Sequence, residues 1–206
     1  MRALHHRFAQ MTLFGLVRLM VGAYRNGPLP TGPVQIFFAN HTSHLDTLTL
    51  LAALPKEIRA RTRPVAARDY WCATPLRRWV AENVLNVIYL DRTPVKGQDL
   101  LAPIHAALDS GESIIIFPEG TRHTEAVPHP FKGGLFRIAS AYPHAELVPV
   151  YLENLYRILP KGAALPVPLI NKVMLGPLMH RQANETKPDF LHRARMAVCA
   201  LCSARS

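Results

Sequence analysis

The run "VQIFFAN" (34–40) is short, apolar and closed by turn chemistry, the pattern of a buried strand. "VIYL" (87–90), "SIIIF" (113–117), "LVPVYL" (147–152) and "KVMLG" (172–176) read the same way. Helical patterns stand between them. "TLTLLAAL" (47–54) follows the first strand. "TPLRRWVAENVL" (74–85) opens with Thr74 as N-cap and Pro75 at the first helical position. "DLLAPIHAALDSG" starts at Asp99 and ends at Gly111, with Pro103 tolerable because first-turn N–H groups lack intrahelical partners. "GGLFRIASAY" (133–142) and a closing "TKPDFLHRARMAVCALC" (186–202) complete the set. Strands alternating with helices predict an α/β single domain with a mainly parallel central sheet flanked by helices. Ligands of such sheets gather at the carboxyl ends of the strands. His41, Arg92 and Glu119 each follow a strand, so residues far apart in sequence are expected on one edge.

A chain of 206 residues holds one domain with a real core, and 49% hydrophobic against 18% charged residues excludes disorder. The 24 Lys+Arg against 14 Asp+Glu give a net charge of +10, which attracts polyanions. No aromatic interleaving and no finger, RRM or KH signature accompanies the basic clusters, so nucleic acid is not the expected partner. The first acidic residue is Asp46, and Arg2, Arg7, Arg18 and Arg25 precede it. Arg7, Arg18 and Arg25 fall on nearly one line of a helical wheel otherwise covered by apolar residues. Residues 1–30 are therefore expected to form an amphipathic helix in the interface of an anionic membrane, with residues 31–206 as the remaining domain. The uncharged stretch 8–17 is half of the about 20 residues a spanning helix needs. The odd count of three cysteines fits a reducing compartment, and Cys199 and Cys202 read as two cysteines on one helix face.

Three short stretches carry chemistry. "NHTSHLD" (40–46) packs two histidines, a serine and an aspartate into seven residues. His41, His44 and Asp46 suit a metal, Ser43 suits a nucleophile beside a histidine, and His41 with Asp46 suits a general base and its orienting carboxylate. "FPEGTRH" (117–123) runs from a strand into a turn. There Gly120 allows close backbone approach, Thr121 offers a hydroxyl, and Arg122 offers a planar fork for phosphate oxygens. "YLDR" (89–92) places Arg92 just past another strand, and two arginines converging from strand ends form a plausible phosphate clamp.

Taken together these stretches resemble the glycerolipid acyltransferases, the 1-acyl-sn-glycerol-3-phosphate acyltransferase family. "NHTSHLD" is similar to that family's N-H-x-S-x-x-D motif, "YLDR" to the end of the second motif, and "FPEGTR" to the third. "FKGGLFRIA" (131–139) resembles the continuation after the third motif, and "VPV" (148–150) the fourth. All occur in the family's order and at its spacing. His123 stands where the family often has Ser, and His44 is extra.

The resemblance implies transfer of a fatty acyl group from a thioester, acyl-CoA or acyl-carrier protein, to the sn-2 hydroxyl of 1-acyl-sn-glycerol-3-phosphate, giving phosphatidate. The alternative is the same chemistry on another lysolipid acceptor such as a lyso-aminolipid. His41 would be the general base and Asp46 would orient it, a triad's logic with the substrate hydroxyl in place of serine. Arg92, Glu119, Gly120, Thr121 and Arg122 match the acceptor site, with Lys132 a further candidate for the phosphate. Asn40 and Ser43 would support the site, Ser43 by capping the following helix or by a hydrogen bond to His41. A metal on His41, His44 and Asp46 needs further ligands, and no second H-x-H or H-x-x-E-H cluster is present, so no metal and no cofactor beyond the thioester co-substrate are expected. A Ser43 nucleophile would call for an elbow such as G-x-S-x-G, and none is present. The expected place is the cytoplasmic side of the cell membrane, peripheral or monotopic.

Overall fold

A computed structural model describes residues 12, 14–18, 23–43, 45–91, 97, 99–123, 125, 127–153 and 171–203. Seven strands form one sheet: β1 (Tyr24–Asn26), β2 (Gln35–Ala39), β3 (Thr62–Ala67), β4 (Ile88–Leu90), β5 (Ser113–Ile116), β6 (Glu146–Leu152) and β7 (Lys172–Leu175). Their spatial order is β1-β7-β6-β2-β5-β3-β4. Every pairing is parallel except β6 with β7. The helices are α1 (Asp46–Ala53), α2 (Lys56–Ala60), α3 (Arg68–Trp71), α4 (Pro75–Val80), α5 (Ala102–Asp109), α6 (Gly134–Ala141) and α7 (Lys187–Ser203). The α/β architecture with a mainly parallel sheet is as the alternation of runs predicts.

The sheet is covered on both sides, which is why its central strands are apolar without a break. All five residues of β2 are buried. Successive side chains of a strand point to opposite faces. Phe37 and Ala39 accordingly pack with Ile115, Val148, Val150 and α1. Ile36 and Phe38 pack on the other face with Ile114, Ile116, Leu147, α5, α6 and α7. Burying an aromatic side chain such as Phe37 or Phe38 contributes roughly 1.5–3 kcal/mol.

Local signals set the helix starts. Thr74 accepts a hydrogen bond from Arg77 N (3.3 Å) and Pro75 follows it, as expected for α4. Asp99 accepts from Leu101 N (3.1 Å) ahead of α5, and Gly111 sits past its end at φ +79°. The C-x-x-C of α7 holds two free thiols, and burial holds the Cys199 thiol above its usual value.

Two strands were not foreseen. β3 is "TRPVAA", whose Arg63 and Pro64 interrupt the apolar pattern. Thr62, Arg63 and Pro64 pair with β5, and Val65, Ala66 and Ala67 pair with β4. Pro64 thus stands where the pairing passes from one neighbour to the other, a place that tolerates a missing N–H. The short edge strand β1 is polar and exposed, so it carries no apolar signal at all.

Of the expected N-terminal interface helix over 1–30, residues 12 and 14–18 are described and helical, the remainder of 1–22 lies outside the described residues, and 23–30 are not helical, with Tyr24–Asn26 drawn into the sheet as β1. Phe14 and Val17 are buried in the core on the α1 side. Arg18 Nε donates to Ala52 O at 2.7 Å. This stretch therefore turns one face onto its own domain, while Leu16 is exposed. No helix of the described residues is long and apolar enough to cross a membrane.

Candidate active site

Because β2, β5, β3 and β4 are mutually parallel, their carboxyl ends lie on one edge. Residues 40–46 leave β2 there, and 117–122 leave β5. Arg92, just beyond β4, and His44 lie outside the described residues.

Asn40 ends β2 by prolonging its pairing with β6. Its Nδ2 donates to Leu152 O (3.1 Å) and its Oδ1 accepts from Leu152 N (2.7 Å). These two bonds replace the next rung of the ladder after Ala39 with Val150. The backbone is thereby fixed one residue before His41.

The next six residues close on a single carboxylate. Asp46, in the first turn of α1, is fully buried. Its Oδ2 accepts from Thr42 N (2.7 Å), from Ser43 N (2.9 Å) and from His41 Nδ1 (2.7 Å). Since a carboxylate only accepts, Nδ1 carries the hydrogen, and Nε2 keeps its lone pair. Thr42 and Ser43 thus wrap the chain onto the acid. Ser43 Oγ accepts from Leu45 N at 3.2 Å, which places its hydroxyl at the start of α1. The imidazole lies on Phe117 with ring centroids 4.3 Å apart and planes 20° from parallel. Stacking on one side and a hydrogen bond on one edge leave little freedom of orientation.

Glu119 joins the two motifs. Its Oε1 accepts from His41 N (2.7 Å) and its Oε2 from His129 N (2.7 Å), and the residue is 4% exposed. His123 N also donates to His41 O (3.0 Å). Both Glu119 oxygens are therefore turned to the chain itself. In this structure the residue is a strut between the β2 and β5 edges, where a direct substrate contact was expected. Glu119→Gln swaps one acceptor for an NH2 facing a backbone N–H. The variant should lose about 1–3 kcal/mol of stability. A denaturant unfolding curve of the purified variant checks this, and an unchanged midpoint refutes the strut.

A cavity of about 440 Å³ opens on this edge, and His41, Gly120, Thr121, Arg122 and Lys132 all line it. Gly120 makes the turn at φ +72°, and its N–H donates to Phe117 O at 3.0 Å. A Cβ there would sit 2.7 Å from Lys132 Nζ, so the bare backbone lets the lysine lie across the turn. Lys132 is anchored by its own N–H on Pro118 O (2.8 Å). Among the described residues neither Arg122 nor Lys132 is ion-paired to a carboxylate. A further part of the lining was not foreseen, because it is formed by the unrecognised strand β3 and the residues just beyond it. It holds Val65, Ala66, Ala67, Tyr70 and Trp71. The Tyr70 ring carries the Arg122 guanidinium at 5.5 Å and that of Arg77 at 4.8 Å from its centroid. The arrangement offers an oriented imidazole, unneutralised cations and an apolar wall within one cavity. It can take a proton from a hydroxyl on a molecule that is anionic at one end and apolar elsewhere.

Residues 23–153 match the model of the Acyltransferase family. The chain is 27% identical over 195 residues to the chloroplastic 1-acyl-sn-glycerol-3-phosphate acyltransferase LPAT1 of Arabidopsis thaliana, covering 92% of this chain and 51% of that protein. It is 29% identical over 147 residues to the 1-acyl-sn-glycerol-3-phosphate acyltransferase alpha of Homo sapiens, covering 69% and 47%. The chain thus spans about half the length of the curated relatives it matches. In fold it is similar to the crystal structure of the 1-acyl-sn-glycerophosphate acyltransferase PlsC from Thermotoga maritima. The TM-score is 0.75 at 19% identity, over all of this chain and 84% of that one.

Proposed function

Since the chain belongs to the acyltransferase family, we propose that it moves a fatty acyl group from a thioester to the sn-2 hydroxyl of 1-acyl-sn-glycerol-3-phosphate. The observation that carries the reading is the His41–Asp46 pair, held at 2.7 Å, in a cavity that also presents Arg122 and Lys132. The relatives named above as acting on this acceptor support the choice of substrate.

In this reading His41 Nε2 takes the proton of the acceptor hydroxyl. The oxygen attacks the thioester carbonyl, and a new C–O bond forms. The tetrahedral intermediate collapses with loss of the C–S bond, and the imidazolium returns its proton to the departing thiolate. The products are phosphatidate and a free thiol. A positioned base contributes about 10²–10⁴-fold to such a step. Asp46 holds the ring and offsets the charge that forms on it. Arg122 and Lys132 take the phosphate, with the Gly120–Thr121 turn beside them. Arg92 joins this group on its motif alone. The thioester is acyl-CoA or acyl-carrier protein, since a chain of +10 suits both acidic donors.

The acceptor lies in a bilayer, so the protein would work on an anionic membrane surface, peripheral or monotopic, on the cytoplasmic side. The basic N-terminal segment supports this. So does α4, which exposes Leu76 (72%) and Trp79 (48%) beside Arg77 and Arg78. Purified protein given lysophosphatidate, a lyso-aminolipid and both thioester donors in mixed vesicles tests the proposal by mass spectrometry of the products. Phosphatidate with one equivalent of released thiol is the expected result. Acylation of the lyso-aminolipid alone would replace the acceptor, and no acylation of any lysolipid would refute the reaction.

A further inference from the structure

His123 is the position at which the third motif departs from its family, and its neighbours give that departure a use. The segment after the Gly120 turn reads His123-x-Glu125-x3-His129. The His123 and His129 rings stack with centroids 3.5 Å apart and planes 6° from parallel. The Glu125 carboxylate contacts His129 Nε2. One nitrogen from each ring and one carboxylate oxygen lie within 4.8 Å of one another. None of the three residues lines the cavity that holds His41, and the acyl transfer uses none of them.

We propose that His123, Glu125 and His129 bind one divalent cation of the zinc class, as a clip behind the active site. Two imidazoles and a carboxylate are a donor set for zinc, whereas calcium and magnesium select oxygens alone. Zinc holds such donors at about 2.0–2.2 Å, which sets donor atoms of a tetrahedron roughly 3.4 Å apart. The three donor atoms lie within 4.8 Å of one another, and turning the two parallel rings out of their stack toward a common point would bring them to that separation. His123 and His129 are part-exposed and Glu125 is exposed, which leaves the fourth position to water.

The backbone gives the metal a consequence. His123 N donates to His41 O, and His129 N donates to Glu119 Oε2. His123 is thus bonded through its main chain to His41 itself, and His129 to Glu119, whose other oxygen accepts from His41 N. Joining their side chains through one ion closes the loop between them and holds both bonds at once. The ion would stabilise the fold of the site and take no part in bond making.

The test uses the full chain, stripped with chelator and titrated calorimetrically with Zn²⁺. One equivalent should bind, with a zinc-dependent rise in Tm. Second-shell partners of a metal are worth about 10–100-fold in affinity. Removing two ligands in His123→Ala/His129→Ala should therefore cost more than about 100-fold and abolish the rise in Tm. Glu125→Gln changes an exposed side chain and should weaken binding while leaving the fold intact. His144→Ala, at an exposed histidine outside the cluster, should bind like wild type. The clip is overturned if wild type takes up no zinc, if the folded double variant keeps wild-type affinity, or if Glu125→Gln binds unchanged. Loss of acyl transfer does not enter these readouts, so the metal site and the proposed reaction stand or fall separately.

Discussion

His41→Ala is expected to lower kcat/KM for acyl transfer by about 10²–10⁴-fold while leaving a folded domain. The ring makes one side-chain hydrogen bond, to Asp46, and one stacking contact, on Phe117. Both are lost, yet the Asp46 carboxylate keeps the N–H groups of Thr42 and Ser43, so no buried charge is stranded. The His41 main chain keeps its bonds to Glu119 and His123, because these use only backbone atoms of residue 41. The expected stability loss is about 1–2 kcal/mol, a few degrees in Tm for a chain of this size. Steady-state rates beside a thermal melt of the same preparation decide it. Undiminished transfer by the variant removes His41 as the base. A collapsed melt shows instead that the ring is structural.

What could be read from the sequence followed the hydrophobic pattern. The runs that became β2 and β5 are apolar throughout, because both faces of those strands are covered. Thr74 with Pro75 announced the start of α4 by local chemistry alone. β3 was hidden because its polar residue is satisfied at long range. Arg63 pairs with Glu112 at 2.9 Å and donates to Asn86 O, neither of which is close in sequence. With β3 unseen, Tyr70 and Trp71 could not be placed at the cavity. Glu119 shows a second kind of blindness. A motif names the side chain, and the partners here are backbone N–H groups of His41 and His129, one of them 78 residues away. No residue type reports such a donor. The histidine–glutamate cluster escaped for a related reason. Its spacing matches none of the compact metal motifs, and only the path of the loop after Gly120 stacks His123 on His129.

Substitutions at Asp46 separate two jobs that one oxygen performs. Asp46→Ala removes the acceptor for three donors, and it leaves the N–H groups of Thr42 and Ser43 facing a void. Each stranded buried donor costs about 1–3 kcal/mol, so the loss is expected at roughly 2–6 kcal/mol, with transfer abolished as the turn loosens. Asp46→Asn is the sharper probe. An amide oxygen in place of Oδ2 can still accept from both backbone N–H groups and from Nδ1–H, so the turn and the ring orientation persist. The amide NH2 then replaces Oδ1, which has no hydrogen-bond partner among the described residues, and this sets a smaller cost of about 1–3 kcal/mol. The negative charge under the imidazole is gone, and with it the stabilisation of imidazolium as the proton arrives. In a triad where the amide also lets the histidine take the wrong tautomer, the corresponding loss is about 10⁴-fold. Here two backbone donors fix which atom faces the ring, so only the charge is lost, and the expected fall in kcat is nearer 10²-fold. Rates and melts of the two variants side by side give the answer. A folded Asp46→Asn with wild-type kcat would mean that the carboxylate serves the turn alone, and that His41 works without it.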